Sequence, residues 1–240
     1  MKYLLFAFLL CAAAQIGGCG YAEICRVNGD FQKTSRDSLP IFENDTIKIV
    51  YFFWDDGGAM SFAIYNKLSV PIYVDWERSA IILNDRRINY YEDRVVSLTQ
   101  TDALSAQVGY RYRYGIAESS SITTVLKSEK TSFLAPQSYI VRTGPKLWVG
   151  IAGRLLENSP PMKIKDRSGY DVAGVGVIYN ESQSPLRFRN FLCYSLLKDV
   201  SQPQYIDNRF FLSSTVQIKR SEFDPQYFQN PGNFYLRPTQ

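Results

Sequence analysis

The residues best suited to contact a ligand form one short stretch between Gly109 and Gly115: Tyr110, Arg111, Tyr112, Arg113 and Tyr114. Successive side chains of a β-strand point to opposite faces, so a strand here would present tyrosines on one face and arginines on the other. Tyrosine rings stack on sugars, and arginine binds carboxylate or phosphate through paired hydrogen bonds. The stretch predicts a binding site for a glycan, a lipid headgroup or a protein partner. An ordinary strand with half-buried tyrosines is the alternative.

The chain contains no histidine, which excludes Ser-His-Asp and Cys-His catalysis and histidine-ligated zinc. Ser195 and Lys198 have the spacing of the S-x-x-K motif of penicillin-binding proteins, and Arg142-Thr-Gly144 is close to their K-T-G strand. The two segments stand in the reverse order, however, and no Ser-Asp-Asn lies between them. We therefore predict a protein that is not an enzyme and that needs neither a metal nor another cofactor.

Two carboxylates keep one enzymatic alternative open. Asp75 and Glu77 alternate along a predicted strand, which places both on one face, where they could form a glycosidase pair or a calcium site. The alternative is a solvated strand edge whose carboxylates are neutralised by Arg78, Arg86 and Arg87. A carboxylate-based hydrolase would require both side chains to face one cleft.

The N-terminus has the pattern of an export signal. Lys2 is followed by an unbroken apolar run, residues 3–14, which is short for a membrane span and typical of a secretory signal peptide. Ile16, Gly17, Gly18 and Cys19 come next. This tetrapeptide resembles the lipobox of bacterial lipoproteins, which implies removal of residues 1–18 and acylation of Cys19. Cleavage after Ala14 or Ala22 and an uncleaved anchor are the alternatives.

Each of these versions places the folded part of the chain outside the cytoplasm, and the lipobox version attaches it to a bacterial membrane through an N-terminal lipid. The net charge of +4 is too small to indicate nucleic-acid binding. Of the four cysteines, Cys11 would leave with the signal peptide and Cys19 would carry the lipid. Cys25 and Cys193 would remain in an oxidising compartment, either as a disulfide or as two separately buried thiols.

Short runs rich in Val, Ile, Thr and aromatic residues follow one another from residue 47, separated by Gly, Pro, Asn and Asp. Such residues fit a pleated, half-buried surface, and no stretch has a sustained helical period. The pattern predicts an all-β fold, an antiparallel β-sandwich of immunoglobulin-like type with about ten strands and little helix. We expect a tether over residues 19–45, the sandwich over 46–220 and a frayed C-terminal tail over 221–240. Two smaller sandwiches meeting near 158–169 are the alternative.

One sequence pattern occurs twice. Ile64-Tyr65-Asn66, followed by Pro71, returns 114 positions later as Ile178-Tyr179-Asn180, followed by Pro185. Asn suits a strand end that needs left-handed backbone, and Pro can open a strand where no N–H is required. We interpret the pattern as a strand–turn–strand hairpin used twice within one sandwich, with chance similarity as the alternative.

The segment FAIYNKLSVPIYVDWERSAIIL, residues 62–83, resembles immunoglobulin-like lipoproteins of Bacteroidota that have no characterised activity. The resemblance is diffuse outside this segment and brings no catalytic residues. It implies a non-enzymatic binding or interaction module of the cell envelope. A fimbria-like assembly subunit is the alternative, in which residues 224–240 would be lent as a strand to a neighbouring copy.

Overall fold

The computed structural model describes residues 20–32, 39–91, 95–101, 121–127, 129–148 and 159–237, with the backbone alone for 95–101 and 121–127. Within these residues its helices are two 3₁₀ turns, Glu181–Gln183 and Arg220–Glu222, and one α-helical turn, Pro225–Phe228. Its strands are β1 (Tyr21–Gly29), β2 (Ile41–Glu43), β3 (Ile47–Phe52), β4 (Ala59–Asn66), β5 (Ile72–Leu83), β6 (Arg86–Asn89), β7 (Val95–Thr101), β8 (Ser121–Lys127), β9 (Thr131–Leu134), β10 (Tyr139–Lys146), β11 (Pro161–Lys165), β12 (Asp171–Ile178), β13 (Arg187–Ser195), β14 (Gln204–Lys219) and β15 (Asn233–Leu236).

The strands form an antiparallel β-sandwich, which confirms the predicted fold class. The larger sheet has nine strands with the path β11-β12-β14-β13-β5-β6, while β1 pairs with β14 and β15, and β9 pairs with β5. The smaller sheet has four strands in the order β10-β4-β3-β2, and β7 pairs with β8. Because β5 pairs with β13, the larger sheet contains strands from both halves of the chain. This pairing contradicts the alternative of two separate sandwiches.

Alternating burial along β3 and β4 builds the core. Every second side chain is enclosed, namely Ile47, Ile49 and Tyr51 on β3 and Met60, Phe62 and Ile64 on β4. These residues pack against the inner face of β5, β13 and β14. The Tyr51 ring meets Phe210 edge-on at 4.9 Å between centroids, and Phe53 meets Phe188 at 5.7 Å. Aromatic contacts of this geometry hold the two sheets together.

A buried hydrogen-bond network crosses this core. The Tyr51 hydroxyl donates to Asn208 Oδ1 at 2.7 Å and accepts from Asn190 Nδ2 at 3.1 Å. The Tyr90 hydroxyl donates to Asn190 Oδ1 at 2.8 Å. Burial raises the pKa of both phenols, which keeps them protonated as donors. Since Tyr51 belongs to the smaller sheet and both asparagines to the larger one, the network also sets how the sheets align.

The predicted tether over residues 19–45 is wrong. β1 begins at Tyr21 and lies between β14 and β15. Ala22, Ile24, Cys25 and Val27 of this strand are at most 2% exposed. Charged and polar residues around β1 obscured it in the sequence, because its burial on both faces comes from distant strands and not from local alternation.

The predicted frayed tail over residues 221–240 is also wrong within the described residues. All four residues of β15 are buried, and Phe234 is fully enclosed. The backbone of this segment continues to the smaller sheet, where Phe53 N donates to Pro231 O at 2.9 Å and Tyr235 N donates to Asp55 O at 3.2 Å. Pro and Gly next to a four-residue strand gave the segment the composition of a loop.

The repeated pattern does not form a hairpin in either place. After Asn66 the chain crosses from the smaller sheet to β5 of the larger one. The second copy ends β12, which pairs with β14. After Asn180 the chain passes through the 3₁₀ turn Glu181–Gln183 and then pairs with the same edge of β14 as β13.

The asparagines of the repeated pattern act through their side chains, and neither has a positive φ. Asn66 is fully enclosed, and its Nδ2 donates to the carbonyls of Val70, Leu134 and Ala135. Asn180 Oδ1 accepts from Gln183 N at 2.9 Å and caps a 3₁₀ turn. What the two copies share is therefore an asparagine that ends a strand by bonding the backbone of the turn.

The structure contradicts the disulfide and shows Cys25 and Cys193 as buried free thiols. Cys25 lies opposite Thr215 and Cys193 lies opposite Tyr205, ten residues apart on β14. At ~3.3 Å per residue this separation is about 33 Å, whereas a disulfide requires Cα atoms within ~7 Å. Burial is the main cause that raises the pKa of both thiols, and the Glu23 and Asp75 carboxylates raise it further.

We expect neither thiol to react with a disulfide reagent such as DTNB in the native protein, because the reactive thiolate is disfavoured and enclosed. In guanidinium chloride without reductant, both should react. The measurement uses residues 19–240 with Cys19→Ser, so that Cys25 and Cys193 are the two cysteines present. Thiols that appear in denaturant only after a reductant is added would show a bridge and contradict the structure.

Candidate functional site

Several residues singled out from the sequence lie outside the part of the chain that the structure describes. They are Cys19 and the stretch Tyr110, Arg111, Tyr112, Arg113 and Tyr114. Acylation of Cys19 and ligand binding at residues 110–114 therefore stay predictions.

Asp75 and Glu77 are described, and they do not face one cleft. Asp75 is 7% exposed, and its carboxylate accepts from Arg78 N at 3.0 Å and lies 3.4 Å from Arg78 Nε. Glu77 is exposed and pairs with Lys130 Nζ at 3.3 Å. A bulge near these residues, opposite β13, interrupts the alternation that would have placed both carboxylates on one face. The residues that the hydrolase alternative requires are engaged in separate ion pairs.

A different region of the surface has the chemistry of a binding site. Between the β11–β12 turn, the segment after Tyr227 and the end of β3 lies a cleft with two adjoining lobes of about 840 Å³ and about 200 Å³. The larger volume suits a small-molecule or oligosaccharide ligand. We name it the aromatic–arginine cleft and define it by six residues: Arg26, Phe52, Trp54, Arg167, Tyr227 and Asn233.

The turn between β11 and β12 positions Arg167, which lines both lobes. Asp166 closes the turn, since its backbone N donates to Tyr170 O at 3.0 Å and its carboxylate accepts from Tyr170 N at 2.9 Å. Gly169 has a φ of +87°, a conformation that favours glycine. The backbone N of Arg167 donates to Tyr227 O at 2.8 Å, which ties the turn to the opposite wall.

The α-helical turn Pro225–Phe228 positions Tyr227. Asp224 caps this turn by accepting from Gln226 N at 2.9 Å, and proline occupies the first helical position. Phe228 is 5% exposed and anchors the turn in a small hydrophobic cluster with Ile24 and Ile164. Tyr227, the residue before it, therefore points outward and is 56% exposed.

Trp54 and Phe52 form the aromatic wall of the larger lobe. Trp54 packs on Tyr235 at 5.0 Å between ring centroids, and Tyr235 in turn contacts Phe223 at 5.3 Å. Phe52 is 39% exposed at the end of β3. Aromatic rings backed in this way offer flat contact area at little cost in conformational entropy.

The electrostatics of the cleft favour an anion. Within the described residues neither Arg26 nor Arg167 has an ion-pair partner, whereas Lys165 lies 3.0 Å from Asp171. Asp166 also lines the cleft, but its carboxylate already accepts the bond from Tyr170. Asn233 is 8% exposed, and in the same part of the chain no side-chain hydrogen bond reaches it. Two free guanidinium groups and an unpaired amide are therefore available to a ligand.

The cleft combines ring stacking with cationic and amide hydrogen bonding, which is the chemistry expected from the sequence for residues 110–114. Its residues come from positions 26, 52, 54, 167, 227 and 233 and share no motif. The local signal that could have pointed to Arg167 is Asp166-Arg-Ser-Gly169, whose composition is typical of an exposed turn. Sequence reasoning missed the site because separate segments form it.

Two features are absent from the described residues. Among residues 20–237 with their gaps, no group of three or more acidic or sulfur ligands is arranged to hold a metal ion. No helix in the described part of the chain has the length and apolar character needed to cross a membrane.

Comparison with known proteins supplies no relative for this chain: no family model, no curated protein and no solved structure matches it.

Proposed function

We propose that this protein is a non-enzymatic binding module of the bacterial cell envelope, anchored by a lipid on Cys19, and that its aromatic–arginine cleft binds an acidic glycan. The observation that carries the proposal is the pair of unpaired arginines, Arg26 and Arg167, beside the half-buried ring of Trp54 and the exposed ring of Tyr227. Sugar rings have an apolar face that stacks on aromatic rings. Carboxylate or sulfate groups on the sugar would pair with the guanidinium groups.

We expect Arg167→Ala to weaken binding of immobilised uronic-acid oligosaccharides by about tenfold to hundredfold, because a charge-assisted hydrogen bond is lost. Tyr227→Ala should also weaken binding, through the loss of a stacking surface. Surface plasmon resonance measures both, with neutral oligosaccharides of equal length as the ligand control.

The matched protein controls for this experiment are Arg87→Ala and Tyr205→Ala, which remove an exposed arginine and an exposed tyrosine elsewhere. These variants should bind like the unaltered protein. Equal weakening by control and cleft variants would rule out the cleft. An unaltered protein that prefers the neutral oligosaccharides would contradict the acidic ligand.

The lipid anchor is tested separately. In a bacterium fed a labelled fatty acid, we expect label on the unaltered protein and none on Cys19→Ala, since the lipobox cysteine is the acylated residue. The measurement is in-gel detection of the label after membrane extraction. Absence of label from both proteins would end the proposal of a lipid anchor while leaving the cleft untouched.

The assembly alternative requires residues 224–240 to leave the fold and complete a neighbouring copy. Instead, β15 pairs with β1 of its own chain from Glu23 to Arg26 and is buried there. Lending this strand would expose four enclosed residues, so the binding module is the proposal we retain.

A further inference from the structure

One end of the larger sheet gathers exposed basic residues beside the start of the fold. Tyr21, the first residue of β1, lies opposite Lys219 of β14, and Arg220 N donates to Gly20 O at 2.9 Å. Leu236 lies opposite Glu23, so Arg237 follows at the same end. We name this surface the basic end and define it by Tyr21, Lys219, Arg220 and Arg237.

The basic side chains of the basic end form no ion pair within the described residues. Lys219, Arg220 and Arg237 are exposed, and in the described residues none of them has an ion-pair partner. Arg237 lies over the Tyr235 ring at 5.5 Å, a contact that leaves its charge intact. The acidic residues nearby are Glu222, exposed on the following 3₁₀ turn, Glu23, which is 7% exposed, and Asp56, whose carboxylate accepts from Arg237 N at 3.2 Å. The surface therefore favours an anionic partner.

The distance along the chain ties this surface to the lipid attachment point. Cys19 and Tyr21 are two residues apart, and two residues reach at most ~7 Å. An acyl chain on Cys19 would therefore hold Tyr21 and its neighbours at the membrane surface with no flexible spacer. The basic end is the part of the molecule that this constraint brings to the headgroups.

We propose that the basic end docks on the anionic phospholipid headgroups of the membrane that holds the anchor, an inference that rests on the proposed acylation of Cys19. The lipid and the basic residues then act as two linked membrane signals. β14 has 16 residues and spans about 50 Å at ~3.3 Å per residue. With Lys219 docked, the other end of β14 lies no more than about 50 Å from the membrane surface. Any ligand of the protein is therefore held close to the membrane.

The test uses residues 19–240 with Cys19→Ser and vesicles of phosphatidylglycerol mixed with phosphatidylcholine, so that no lipid anchor contributes. We expect Lys219→Glu/Arg220→Glu to lower the vesicle partition coefficient, measured by co-sedimentation, by at least about 25-fold. Each basic residue near an anionic membrane raises this coefficient about fivefold. The matched control, Arg86→Glu/Arg87→Glu, makes the same charge change at exposed arginines of the β5–β6 hairpin and should have little effect. Equal loss in both pairs would show a general charge effect and overturn the proposal.

A second measurement fixes the chain to the membrane artificially. Residues 19–240 are coupled through Cys19 to a maleimide lipid, because Cys25 and Cys193 are buried. We expect fluorescence of Glu222→Trp, a reporter on the exposed 3₁₀ turn after Lys219 and remote in sequence from the lipid linkage, to be quenched by headgroup-labelled lipid in anionic vesicles, and less so after Lys219→Glu/Arg220→Glu. Equal quenching in anionic and neutral vesicles would overturn docking. Neither measurement depends on acylation in cells, so fatty-acid labelling can fail while this surface is confirmed, or the reverse.

Discussion

Phe234→Ala is expected to destabilise the protein by about 3–5 kcal/mol, the range for truncating an enclosed phenylalanine. Phe234 is fully buried in β15 and lies against Gly58, whose missing Cβ would come within 2.7 Å of the ring. Gly58 also has a φ of +66°, so a larger residue could not fill the cavity without strain. The free energy of unfolding from urea denaturation measures the loss.

The control for Phe234→Ala is Tyr227→Ala, an aromatic truncation in the same C-terminal segment at a side chain that is 56% exposed. Its effect on stability should stay within about 0.5 kcal/mol. If both variants had similar, small effects on the free energy of unfolding, the C-terminal segment would be dispensable for the fold. That result would agree with the frayed tail expected from the sequence and contradict the structure.

Asn190→Ala is expected to destabilise the protein by about 2–4 kcal/mol, because it leaves the buried Tyr90 hydroxyl without its acceptor and removes a donor to Tyr51. Asn190 is fully enclosed, accepts from the Tyr90 hydroxyl at 2.8 Å and donates to the Tyr51 hydroxyl at 3.1 Å, while Tyr51 keeps its bond to Asn208. The stranded Tyr90 hydroxyl costs about 1–3 kcal/mol and the bond lost at Tyr51 about 1 kcal/mol. Thermal and urea unfolding measure the change.

The compensating variant distinguishes lost hydrogen bonds from lost packing. Tyr90→Phe/Asn190→Leu removes both partners of one bond and restores apolar volume, so we expect it to be more stable than Asn190→Ala. Asn180→Ala is the matched control, since it removes an exposed asparagine that caps a 3₁₀ turn and should cost about 1 kcal/mol. If the compensating variant were the least stable of the three, the network would be a minor contributor.

Strands with local alternation were predictable from the sequence. β3 and β4 place every second residue in the core, and they lie where the short apolar runs expected from residue 47 begin. The period of two is a property of neighbouring residues, so it can be read without knowing any partner strand. β15 has no such pattern, since all four of its residues are buried, and its existence depends on pairing with β1.

The cleft was not predicted from the sequence, and the site expected at residues 110–114 stays a prediction. The expected combination of tyrosine and arginine recurs in the described surface at Arg167 and Tyr227, residues 60 positions apart. A single hydrogen bond from Arg167 N to Tyr227 O brings them together. No local pattern encodes that contact, because it exists only once β11, β12 and the helical turn have packed on Phe228.

The sequence by itself determined the all-β class, because turn residues and alternating side chains act over a few positions and select strands before any contact forms. The tertiary structure alone decided which strands are neighbours. It placed β1 in the interior, separated Cys25 from Cys193 along β14, sent the chain between sheets after Asn66 and built a cleft from remote segments. The physical reason is that strand pairing satisfies backbone hydrogen bonds between residues far apart in the chain, and many partners satisfy them equally until the shared core selects one register.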